Sequence, residues 1–248
     1  LRLLPPAATF TAERAAYKTL LAKAHEHFSL GAEAGFDLDE CSDNDFSDWI
    51  GAQIRADVYG WVCPGRPELA ARLVRQDASL SHREEGVYGA VFVAALGASI
   101  PASQSLDEAL ESALRQIPEH SACADAVDLG RRLSGQDNAV EEIHTRYKDL
   151  SPVHTVNNLA LVTWSLCSSQ DDYSAAVGEA VSGGWDTDCN GATVGGLWGL
   201  LNEDIPEHWT EPWAGRVAIS LAGYGELSLD ELVQRTVVVA ENIASSTE

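Results

Sequence analysis

The sequence predicts an all-α protein folded as a single domain over residues 1–248. Three observations carry that prediction. Apolar residues recur at helical spacing along most of the chain. Two Ser-Leu-Asp-Glu segments, at 105–108 and 228–231, have capping-box spacing ahead of apolar runs. No run alternates strictly between apolar and polar residues, and no pair of apolar runs is joined by a hairpin turn. With 248 residues and 45% hydrophobic content, the chain can bury one large core. It shows no repeat at a period of roughly 20–50 residues and no low-complexity linker, so one domain is the simplest organisation.

Taken in order, the first helix is predicted over 13–28, where Ala16, Leu20, Leu21 and Ala24 form a one-sided apolar stripe. Pro67 suits the first position of a helix through Leu69, Leu73 and Val74. Further helices are expected at 85–98, after Ser105, and at 121–133, 138–147, 155–168, 172–182, 192–201 and 212–223. The run 155–168 is too apolar for a surface helix and belongs in a central layer. Ser228 opens the last helix, which continues through the β-branched run 237–240. Glycine and proline mark the joints: Gly31, Gly35, Pro64-Gly65, Pro101, Pro118, Gly135, Pro152, Gly183-Gly184 and Pro206.

Thirty-eight acidic against 16 basic residues give a net charge of −22. A field of that sign repels phosphate, which argues against nucleic acid or an anionic membrane surface as a partner. No apolar window reaches the roughly 18 residues that a membrane span needs. The longest candidate, 87–100, stops at Pro101 and is interrupted by Gly89 and Gly97. Five cysteines without a C-x-x-C pair read as reduced thiols, hence a cytoplasmic protein. The chain has no methionine and opens at Leu1, so it is expected to be part of a longer protein. His25-Glu26-His27 lacks the i, i+4 spacing of a zinc helix.

The most informative stretch runs Gly183-Gly184-Trp185-Asp186-Thr187-Asp188-Cys189-Asn190-Gly191-Ala192-Thr193. Two carboxylates one residue apart, flanked by glycines that permit a tight turn, suit capture of a hard cation. An EF-hand loop would need a glutamate at its twelfth position, and the twelfth residue from Asp186 is Leu197. The plainer alternative is an Asp N-cap beside an exposed carboxylate. In its wider setting, with Gly195-Gly196-Leu197-Trp198-Gly199 and Ile205-Pro206 to Trp209 behind it, the stretch resembles the signature of the ADP-ribosylglycohydrolase family, which includes the dinitrogenase-reductase-activating glycohydrolases. Three upstream segments resemble the family in the expected order: Ile50-Gly51-Ala52-Gln53-Ile54-Arg55, Ser81-His82 to Gly86, and Ser151-Pro152-Val153-His154 to Asn158.

That resemblance covers about residues 49–239. It implies a compact orthogonal bundle of helices, two Mg2+ ions in a cleft, and hydrolysis at the anomeric carbon of an ADP-ribosyl group. Asp186 and Asp188 would be metal ligands. Cys189 stands where the family supplies a Thr or Ser hydroxyl; a thiol is a soft partner for magnesium, so Mn2+, a water or Asn190 would have to compensate. Trp49, Gly51, His82, His154 and Trp185 would contact ADP-ribose or an ADP-ribosylated substrate. Arg55 reads equally as a phosphate contact or an ion-pair partner, and His82 and His154 as substrate contacts or as capping and core hydrogen bonds. The catalytic acid or base is unassigned. Residues 1–48 show no counterpart of the family's N-terminal metal-ligand segment; the nearest acidic cluster is Asp43-Asn44-Asp45 with Asp48, in a different order and spacing. The expected activity is therefore magnesium-dependent hydrolysis of ADP-ribosyl glycosidic bonds, and the competing expectation is a non-catalytic relative with an incomplete metal site.

Overall fold

The computed structural model describes residues 11–30, 39–202, 204–219 and 223–245; the joints at Gly31 and Gly35 and the side chains of 24–30, including His25 to His27, lie outside that description. The described chain is helical almost throughout. Its helices are α1 (Ala12–Leu30), α2 (Asp39–Ser42), α3 (Asp57–Trp61), α4 (Pro67–Ala78), α5 (Glu84–Ser99), α6 (Leu106–Leu114), α7 (Ala122–Leu133), α8 (Ala139–Arg146), α9 (Thr155–Ser168), α10 (Tyr173–Ser182), α11 (Thr187–Leu201), α12 (Glu207–Thr210) and α13 (Leu229–Ser245). Two short strands, β1 (Arg216–Ala218) and β2 (Glu226–Ser228), pair antiparallel.

The centre consists of α5 and α9, which touch each other. Every residue from Thr155 to Leu166 is buried, and so is every residue from Gly86 to Ser99 except Tyr88. An apolar helix of this kind is stable only with neighbours on all sides. α3, α4 and α6 pack on α5, and α7, α8, α10 and α11 pack on α9. Two glycines let backbones meet. A Cβ at Gly60 would stand 2.7 Å from the Ala94 carbonyl of α5, and one at Gly130 would stand 2.7 Å from the Ala160 carbonyl of α9.

The all-α expectation holds, with three corrections. The helix expected over 192–201 begins earlier, at Thr187, so Asp188 lies in its first turn and Asp186 at its N-cap. The helix expected over 212–223 is absent from its described part. A 3-10 turn (Glu211–Trp213) ends at Ala214 and Gly215, both left-handed with φ of 48° and 68°, and the chain enters the β1–β2 hairpin that no alternation had signalled. By length and composition, Glu84–Ala102 is apolar enough to cross a membrane, where the sequence showed no such window; 78% of that window is buried inside the protein.

Candidate active site

Three helix N-termini meet at one end of the bundle. The strip 47–50 is the stitch between them. Ser47 accepts from the N–H of Arg83, the residue before α5, at 3.3 Å, and Asp48 accepts from Thr155 N–H at the start of α9 at 2.9 Å. Ile50 donates to Val153 at 2.9 Å, and Trp49 and His154 form an isolated antiparallel bridge. The third N-terminus, that of α11, is tied in by Asn158. Its Oδ1 accepts from Asp186 N–H at 3.1 Å and from Asn190 Nδ2 at 2.8 Å. Its Nδ2 donates to the carbonyls of Pro152 and His154, both at 2.8 Å. Asn158 Nδ2 also reaches Asn157 Oδ1 at 3.3 Å, and the whole Asn158 side chain is buried.

At the α11 terminus, one oxygen of Asp186, one of Asp188 and the Cys189 sulfur lie within 4.8 Å of one another, the group of metal-ligating side chains found among the described residues. Asp43, Asp45 and Asp48 gather no such group there; Asp43 instead pairs with Arg83 at 3.2 Å. Asp186 occupies the N-cap position without a well-formed side-chain cap bond, although its carboxylate still faces the N–H and thiol of Cys189. Its pKa is raised, by burial first and then by the neighbouring Asp188, while the Cys189 thiol opposes the shift. Burial and the Asp186 carboxylate push the thiol's own pKa well up. A bound cation would relieve the crowding of the two carboxylates. The donor chemistry thus fits a hard divalent cation at Asp186 and Asp188. It does not fit one at Cys189, whose protonated sulfur is a poor partner for magnesium.

Gly51 and His82 share a second cluster, built around a residue the sequence had not singled out. Glu13 of α1 pairs with Arg55 and lies 3.7 Å from His82 Nε2, and its carboxylate fills the space that a Cβ on Gly51 would take. Arg55 also bonds Asp77 at 2.6 Å, the Gly51 carbonyl at 2.8 Å and Ser81 Oγ at 3.3 Å, so it serves as an ion-pair hub here. His82 is buried, with Nδ1 2.8 Å from Ser81 Oγ. Burial drives its pKa down to about 4 against the opposing pull of Glu13, leaving the ring neutral at pH 7. Burial also raises the Glu13 carboxyl, but the His82 ring once protonated in acid, the Glu13 N–H and Arg55 together outweigh it and hold the pKa below its usual value.

The remaining expected contacts are placed as follows. His154 caps α9, its Nδ1 accepting from Val156 N–H at 3.1 Å. Trp49 meets the edge of Phe46 at 4.7 Å between centroids and faces His154 across the bridge. Trp185 stacks on His144 of α8 at 4.0 Å and 15°. No local pattern marks His144 or Glu13, since each meets its partner from a distant helix. Asp57 was also missed: burial pushes its carboxyl up to about 7, and its Oδ1 has no hydrogen-bond partner. It lies against Gly196, ten residues beyond Asp186 and so about 15 Å along the helix, out of direct reach of the carboxylate pair.

Helices meeting through their N-termini beside a pair of clustered carboxylates define a class of all-helical protein suited to a cation and an anionic ligand together. The ADP-ribosylglycohydrolase family profile matches residues 5–241, and the chain belongs to that family. The match starts well upstream of Trp49, where the resemblance by motif began. No curated protein and no solved structure gives a significant match. Family membership places the chain among hydrolases acting on ADP-ribosylated substrates, which generally bind divalent metals.

Proposed function

We propose that the protein hydrolyses ADP-ribosyl glycosidic bonds with Mg2+ held by Asp186 and Asp188, and with Mn2+ as an effective substitute. The observation that carries this reading is the pair of carboxylates gathered with the Cys189 sulfur within 4.8 Å of one another at the N-terminus of α11. A divalent cation there would supply Lewis-acid polarisation and a water of lowered pKa. Asn158 fixes the backbone that aims Asp186. The N-termini of α5, α9 and α11 favour the anionic diphosphate of ADP-ribose, and Trp49, His154 and Trp185 line the approach, with Gly51 and the buried His82 in the Glu13–Arg55 cluster. His82, neutral at pH 7, offers a hydrogen bond rather than a charge.

The second reading, a non-catalytic relative that binds ADP-ribose, is favoured by one feature, the protonated thiol of Cys189 in place of a hard oxygen ligand. One experiment separates the two. Release of ADP-ribose from an ADP-ribosylated substrate is measured with and without Mg2+, for the wild-type protein and for Asp186→Ala combined with Asp188→Ala. The hydrolase reading expects Mg2+-dependent release that the double variant loses while its helical circular dichroism is unchanged. Turnover equal in both proteins would remove the metal assignment. ADP-ribose binding without any turnover would establish the second reading.

A further inference from the structure

The turn that delivers Asp186 to the site is strained, and a side chain from another helix holds it. α10 ends at Ser182, and Gly183 is still right-handed, with φ of −62°. Gly184 then takes φ of 82° and Trp185 φ of 56°, before Asp186 returns to φ of −89° and α11 begins. Glycine enters the left-handed region freely, but a tryptophan does so only when its surroundings over-determine it. Those surroundings are supplied by His144. Its Nε2–H donates to the Gly183 carbonyl at 2.7 Å, and its ring lies flat on the Trp185 indole, 4.0 Å away. Between these contacts the same ring covers Gly184, where a Cβ would come within 3.8 Å of its Cε1. One imidazole therefore bonds Gly183, stacks on Trp185 and lies beside Gly184 between them. α8 is itself anchored by Ile143, which is fully buried. On the far side, Asn158 holds Asp186 N–H.

We infer that His144 is a positioning residue for the metal site: by pinning the 183–185 turn it sets the direction from which the Asp186 carboxylate enters the site. This inference rests on the proposed function, since it takes Asp186 as a cation ligand. Outer partners that orient a ligand change cation affinity by about 10–100-fold when removed.

The test is Mn2+ affinity by isothermal titration, with kcat and KM measured alongside, on the full chain and three variants. His144→Ala should weaken Mn2+ binding about tenfold or more. His144→Phe, which keeps the flat ring and loses the donor, should fall between the two. Trp185→Gly introduced into the His144→Ala background should recover most of the lost affinity, because glycine holds a positive φ without a clamp. That rescue would not follow if His144 merely stabilised α8. Unchanged affinity in His144→Ala would overturn the inference, and so would a loss that Trp185→Gly leaves in place. Absence of Mn2+ binding in the wild-type protein would instead remove the metal reading of Asp186 and Asp188, and the positioning role with it.

Discussion

Replacing Asn158 by alanine should be among the most damaging single changes outside the apolar core. The side chain is fully buried and, besides Asn157 Oδ1 at 3.3 Å, it bonds four groups: it donates to the carbonyls of Pro152 and His154 and accepts from Asp186 N–H and Asn190 Nδ2, at 2.8–3.1 Å. Each net bond is worth about 1 kcal/mol, and each buried group left without a partner costs about 1–3 kcal/mol. Water entering the vacated volume would serve some of the four groups. A loss of about 4 kcal/mol is therefore expected, a large part of the roughly 5–15 kcal/mol that holds a typical domain together. Urea unfolding followed by circular dichroism measures it; with a slope of about 3 kcal/mol/M, the midpoint should fall by about 1 M or more. Asn158→Asp sharpens the reasoning. A carboxylate can still accept from Asp186 N–H and Asn190, but it cannot donate to the two carbonyls and would bury a charge against them. It should destabilise at neutral pH and recover partly in acid. A loss below about 1 kcal/mol in Asn158→Ala would refute the claim that Asn158 holds the motif to the start of α9.

Two further outcomes follow from the packing and from His82. Gly130→Ala should lower stability by about 1–3 kcal/mol, although alanine favours helix by about 1 kcal/mol. Its Cβ would meet the Ala160 carbonyl at 2.7 Å and Trp164 N at 2.8 Å, and α9 backbone cannot step aside; a melting temperature equal to or above wild type would contradict that contact. For His82, the folded pKa of about 4 lies below the unfolded 6.5, so the unfolded chain binds the extra proton first. Stability is complete above about pH 6.5 and is lost as pH falls toward 4, by about 2 kcal/mol between about pH 7.5 and about pH 5. Urea unfolding at those two pH values should show this in the wild type and a smaller change in His82→Gln; equal changes in both would rule out His82 as the source.

How much of this was legible in the sequence depends on the range of each interaction. Helix starts marked by a capping serine are local and were readable, unlike the start of α11. Ser105 Oγ accepts from Glu108 N–H at 3.2 Å, and Ser228 Oγ accepts from Glu231 N–H at 3.1 Å, as the capping-box spacing requires. The run 155–168 lies in the centre because its apolar residues are spread around the helix and leave no polar face for solvent. The hairpin was not readable. Strands of three residues are too short to show alternation, and the 212–223 run keeps a helical apolar spacing that Ala214 and Gly215 interrupt only through their backbone angles. The same divide runs through the site. The carboxylate pair is contiguous in sequence and stood out, whereas Glu13 at Arg55, His144 at Trp185 and Asn158 at Asp186 join residues 28–42 positions apart. No window of sequence contains both partners.

Net charge is the feature most at odds with the proposed ligand, because a chain at −22 repels an anionic diphosphate at long range. Distance decides which effect wins. At physiological ionic strength the Debye length is about 8 Å, so exposed carboxylates across the surface act weakly on a ligand seated at the bundle end. Within that radius the sources differ in sign from the whole. The start of each long helix carries roughly half a positive charge, and the N-termini of α5, α9 and α11 are stitched together through Ser47, Asp48 and Asn158. Nearby acidic groups are largely engaged: Glu85 accepts from Ala122 N–H and Cys123 N–H at the start of α7, and Glu13 pairs with Arg55. Asp186 and Asp188 sit together, and a divalent cation between them would turn that local negative charge into an attraction for phosphate. The acidic surface and an anionic substrate are therefore compatible on one condition, that the cation site is filled before the substrate arrives.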